Sequence, residues 1–157
     1  MGRFESSWDS DQTEADYALW SANFRKSVAS QKGQKVLRDL EAALLALPQP
    51  RLIEGSLCRD GEFCALGAYG YYQRLRKGDD AESARGWLEK LDAEYGDIAW
   101  VAREVADAMP ITFTVAWEVS YYNDERVSVK RTPEERYEQV LGWVGNLLGK
   151  EREERHD

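Results

Sequence analysis

The chain has 157 residues, a formal net charge of −8 and 43% hydrophobic residues, the profile of one globular domain that buries enough surface to need no staples. The acidic excess argues against general affinity for nucleic acid, and two cysteines do not make a disulfide framework. No apolar run approaches the roughly 20 residues of a membrane span and the start, MGRFESSWDSDQ, does not read as a secretory leader, so the expectation is a soluble, cytoplasmic protein with no membrane partner.

Residues 1–12 mix Ser, Asp, Gly and Gln with single aromatics and read as a flexible N-terminus. Thr13 can cap a first helix in which Tyr17, Trp20, Phe24 and Val28 recur at helical spacing, with an expected end near Gly33. A second helix follows, with Val36, Leu37, Leu40, Leu44 and Leu47 on one face, and Pro48 and Pro50 close it because proline lacks an amide hydrogen. Asp60-Gly61 between two short apolar runs is the strongest local hairpin signal in the chain. A two-residue turn there puts Cys58 opposite Phe63 and sends Cys64 to the other face, so both thiols are expected to be free.

A third helix should open near Cys64, carry the small residues Ala65, Gly67, Ala68 and Gly70, and stop at Gly78. Asp79-Asp80 begin a fourth with Ala84, Trp87, Leu88, Leu91 and Tyr95 facing inward, ended by Gly96. Asp97 should cap a short fifth helix containing Ile98, Val101, Ala102, Val105 and Met109, broken at Pro110. Residues 111–122, ITFTVAWEVSYY, are ambiguous. Phe113, Val115, Trp117, Val119 and Tyr121 alternate as in a strand, whereas Ile111, Val115, Val119 and Tyr122 form a helical stripe.

A polar loop should run from Asn123 to Arg131, and Thr132-Pro133-Glu134-Glu135 is a capping-box start for a last helix carrying Tyr137, Val140, Leu141, Val144, Leu147 and Leu148. Residues 150–157, KEREERHD, read as a charged tail. The whole is therefore a mainly α, compact single domain (residues 13–149) of about six helices with one short β-hairpin. The hairpin and the Ala/Gly-rich helix should sit at its centre.

Histidine is nearly absent: His156, next to the C-terminus, is the single one. That removes most Ser-His and Cys-His nucleophile pairs as well as His-rich zinc sites, and no Walker-type loop is present. Two candidate chemistries remain. Cys64 at a helix start could have its thiolate stabilised by free amides if exposed, or be a buried packing residue. Glu118, Asp124 and Glu125 with Asn123 could offer oxygens to a hard cation, or cap backbone and pair with an arginine such as Arg51 or Arg136. The second choice is favoured in each case, with neither metal nor cofactor expected.

Charge is unevenly distributed. Residues 17–59 carry seven basic against three acidic side chains, so the acidic excess lies elsewhere.

Taken together, the run GQKVLRDLEAALLALPQPRLIEGSLCRDGEFCALGA, the triplet Asn123 to Glu125 and the block Thr132 to Arg136 resemble a group of small bacterial, prophage and phage proteins. The matching motif residues include Gly33, Gln34, Arg51, Cys64, Gly67, Asn123 and Asp124. The resemblance spans residues 30–148, implies a helix before Asn123, which tips 111–122 towards helix, and implies a mobile-element setting with no activity to transfer.

Three functions are then open. The first is a non-enzymatic protein-interaction module, such as an inhibitor of a host defence or regulatory complex, presenting Asp79, Asp80 and Glu82 to a basic groove on its partner. The second is a nucleic-acid-binding regulator using Arg25, Lys26, Lys32, Lys35 and Arg38. The third is a small enzyme using Cys64 or the 123–125 carboxylates.

Overall fold

A computed structural model describes residues 13–96, 103–124 and 131–156. Among the described residues seven helices and one hairpin follow in chain order: α1 (Thr13–Ala29), α2 (Gln31–Leu45), β1 (Cys58–Arg59), β2 (Glu62–Phe63), α3 (Ala65–Arg76), α4 (Ala81–Tyr95), α5 (Arg103–Ala108), α6 (Phe113–Asp124) and α7 (Pro133–His156). The expectation of a mainly helical chain with a short hairpin holds. No helix among the described residues is long and apolar enough to cross a membrane.

The break between α1 and α2 comes three residues before its expected place. Ser30 is extended and its Oγ accepts from the Gly33 amide at 2.9 Å, so the serine is the N-cap of α2 and Gly33 lies inside its first turn. Gly33 acts through its missing side chain: a Cβ there would stand 1.8 Å from the Ser27 carbonyl oxygen. Gln34, also buried, donates to the Val28 carbonyl at 2.6 Å and ties the end of α1 to α2.

β1 and β2 pair antiparallel with Cys58 opposite Phe63, the expected register, and Asp60 and Gly61 both take the left-handed backbone a tight hairpin turn needs. Cys58 and Cys64 are free and buried. The ambiguous segment is helical: α6 buries Val115, Ala116, Trp117, Glu118, Val119, Ser120 and Asn123, more than one face, and α1, α3, α5 and α7 pack around it. A helix buried on several sides gains more from packing than β-branched residues lose in propensity. With two residues per strand, the hairpin offers such a segment little sheet to join.

The core runs through α2, α3, α6 and α7, with Leu37, Leu40, Leu44, Leu66, Val115, Val140 and Val144 among its members. The first six residues of α3 are buried, so the small-residue helix is central, as anticipated. Trp117 is fully buried, while Trp20, Trp87 and Trp143 are half-buried; Trp8 and Trp100 lie outside the described residues. Asp97 and most of the expected fifth-helix stripe also lie outside them, and Val105 and Met109 are buried as expected. The backbone of α7 continues through His156 rather than giving way to a tail at residue 150.

Candidate functional site

Cys64, Gly67, Asn123, Asp124 and Arg136 meet at one polar junction, built where the lead-in to the hairpin crosses three helix ends. Leu52 donates its amide to the Pro133 carbonyl at 3.1 Å and Ile53 to the Phe63 carbonyl at 2.9 Å, which lays this segment between α7 and the hairpin. Its own carbonyls are left to side chains. Arg136 Nη1 donates to the Leu52 oxygen at 2.9 Å, and Asn123 Nδ2 donates to the Ile53 oxygen, also at 2.9 Å.

Asn123 is completely buried and both hydrogens of its amide are used. Oδ1 accepts from the Ala65 amide at 3.0 Å, filling one of the open donors at the start of α3, and Nδ2 also donates to Asp124 Oδ1 at 2.6 Å. The last carbonyls of α6 are covered from the other side. Arg131 donates to the Tyr122 and Asn123 oxygens and Arg136 Nε to the Asn123 oxygen at 3.0 Å, placing two cations at the negative end of the helix. Burial, and then the Arg136 charge, lower the affinity of Arg131 for its proton. Arg136 also lies 3.5 Å from Glu54.

The start of α7 makes this placement possible. Thr132 Oγ1 accepts from the Glu135 amide at 3.1 Å and Glu135 Oε1 accepts from the Thr132 amide at 2.8 Å, the reciprocal pair expected from the sequence, and Arg136 follows directly. Those hydrogen bonds hold the exposed Glu135 carboxyl below its ordinary range.

Cys64 is the N-cap of α3, and its Sγ accepts from the Gly67 amide at 3.3 Å. It is buried, and burial, reinforced by the Asp124 charge, pushes its thiol up to about 12. Those surroundings favour the neutral thiol, the packing alternative over the reactive one. Gly67 permits the approach: a Cβ there would stand 1.9 Å from the Leu57 carbonyl oxygen. On the far side, the Asp92 carboxylate accepts from the Leu57 amide at 2.9 Å and the Cys58 amide at 3.1 Å, anchoring the hairpin entry to the last turn of α4.

Sequence reasoning missed Asp92, Arg131 and Ser30. Asp92 has no local signature, since its partners lie more than thirty residues away, whereas Ser30 one residue before an amphipathic run is a cap signal that could have been read.

Of the carboxylate group, Glu118 and Asp124 serve different partners. Glu118 turns towards α1, where it accepts from the Trp20 indole, while Asp124 lies at the junction and Glu125 is outside the described residues. Among the described residues no three His, Cys, Asp or Glu side chains are grouped to hold a metal ion. Burial pushes the Asp124 carboxyl up to about 6, with the Asn123 hydrogen bond opposing and the Glu54 charge adding to the rise. Asp124, Ser120, Cys64 and Asp92 line a cleft of about 10 Å³, room for one water-sized guest.

Arg51 belongs elsewhere. It does not pair with the Asn123-Asp124 corner: its Nε lies 3.2 Å from Glu62 and 3.3 Å from Glu134, beside a 290 Å³ groove under the hairpin turn. The acidic candidates divide as well. Asp80 is the N-cap of α4, accepting from Ser83 at 2.7 Å, Asp79 pairs with Arg74 at 3.1 Å, and Glu82 is exposed. All five basic candidates, Arg25, Lys26, Lys32, Lys35 and Arg38, are exposed, the first two near the end of α1 and the others at three-residue spacing along α2. Comparison of the chain with protein-family models, curated proteins and solved structures finds no match.

Proposed function

We propose that the protein is a non-enzymatic interaction module that engages a basic surface on a protein partner through the outer face of α4. The observation that carries this reading is a division of labour. Cys64, Asn123, Asp124 and Arg136 are taken up inside the junction, while Glu82 and Glu89 stand exposed at i and i+7 on α4 with Gly86 between them. A Cβ on Gly86 would meet nothing within 4 Å, so the helix surface at that point is open. Exposed carboxylates suit a basic groove, where complementary charge speeds encounter and sets orientation. A partner whose basic groove serves nucleic acid would be blocked by such contact, which is the inhibitory mode.

The contact residues are thus Glu82 and Glu89 rather than Asp79 and Asp80, whose carboxylates hold Arg74 and the helix cap. The test is affinity capture from lysate treated with nuclease, comparing the parent chain with the double variant Glu82→Lys and Glu89→Lys. The expected result is a stoichiometric protein released by salt and absent from the variant's eluate. A partner retained equally by the variant would refute the acidic face, and recovery of no protein would refute the module.

A further inference from the structure

We infer that the α2–α3 ridge is a second contact surface, one that takes the phosphate backbone of single-stranded nucleic acid, independently of the acidic face of α4. The sequence points to basic residues of α1 and α2; the fold adds the end of α3. Asp39 is the hinge of the arrangement, with its side chain only 14% exposed. Lys35 Nζ donates to it from α2 at 3.1 Å, Gln73 Nε2 donates from α3 at 3.0 Å, and Arg76 Nη1 lies 3.1 Å away. One carboxylate thereby fixes two cations from two helices, and the group keeps an excess positive charge.

Both cations stay open to solvent, Lys35 at 64% and Arg76 at 48% of their side-chain surface. Lys32, one turn earlier on the same helix, and Lys77, next to Arg76 in the chain, are exposed and add positive charge. Arg74 does not belong with them, since its guanidinium turns to α4 and stacks 4.3 Å above Trp87.

The aromatic partner of Arg76 favours nucleic acid over an acidic peptide. Its guanidinium sits 5.4 Å above the ring of Tyr72, which is half-buried. A planar cation on an aromatic shelf beside a row of cations is what unpaired bases and their phosphates need, stacking on one and neutralised by the other. A duplex hides its base faces, and a carboxylate-rich peptide has none to stack.

The measurement is fluorescence anisotropy at low and moderate salt with labelled single-stranded RNA, single-stranded DNA, duplex DNA and a polyglutamate peptide of similar length. Single strands should bind at low salt. Lys32→Ala with Lys77→Ala, at two side chains outside the Asp39 group, should weaken them about tenfold and flatten the log–log salt slope by about 1.4, at roughly 0.7 per phosphate contact. Tyr72→Leu, which keeps every charge, should weaken single strands and leave polyglutamate unchanged. Failure of single strands to bind at low salt would overturn the proposal, as would a salt slope unmoved in the double variant. Polyglutamate or duplex binding as tightly as the single strands would overturn the assignment of the partner.

Discussion

Asn123 satisfies a backbone donor on α3 and a backbone acceptor before the hairpin with one planar amide, and both of those groups belong to the interior. Truncation to alanine would leave the Ala65 amide and the Ile53 carbonyl unpaired. With each buried orphan costing about 1–3 kcal/mol, Asn123→Ala should destabilise the protein by roughly 2–4 kcal/mol, measurable by urea denaturation. Asp124, beside it, should act in the opposite sense. Its folded carboxyl titrates at about 6, above the unfolded value of roughly 4. Between those values the unfolded chain gives up its proton first, so stability falls as pH rises from about 4 to about 6 and stays reduced above. Asp124→Asn should therefore stabilise the protein at pH 8 by on the order of 2 kcal/mol and lose that advantage by about pH 4. Equal stability of the two proteins across this range would show that burial does not disfavour the charge.

At the scale of the element, glycine in the same chain plays two roles that melting experiments can separate. In α3 the Gly67 Cα rests against the Leu57 carbonyl, and a methyl there must push backbone aside; in α7 a methyl on Gly142 would meet nothing within 4 Å. Gly67→Ala should cost more than about 3 kcal/mol through displacement of the hairpin entry. Gly142→Ala should raise the melting temperature, gaining about 0.5–1 kcal/mol of helix propensity. The same distinction explains what the sequence concealed. Periodic apolar stripes announced α2, α4 and α7, and capping chemistry announced the start of α7, because those signals are local. Gly33 read as a helix end for want of any sign that the end of α1 would press against it. The reading of residues 111–122 as helix rested on the family resemblance, since a segment buried on several sides carries little periodicity of its own.

Across the whole molecule, the junction joins the hairpin lead-in, the start of α3, the end of α6 and the start of α7, segments separated by up to 84 residues along the chain. Cys64, Asn123 and Arg136 were legible as motif residues, yet their partnerships were not. Polar side chains have no period, and nothing in Asn123 announces an amide 58 positions earlier. A polar network of this kind is cooperative, for the loss of one partner strands the next in a medium of low dielectric. The central claim is that Cys64, Asn123, Asp124 and Arg136 hold the fold as a unit. Native-state hydrogen exchange at the amides of Leu52, Ile53, Ala65 and Gly67 tests it most directly. The account predicts that all four exchange only through global unfolding, with a common free energy equal to that from denaturation. Exchange of any of them through a local opening at least 2 kcal/mol cheaper, on the order of one lost buried hydrogen bond, would contradict it.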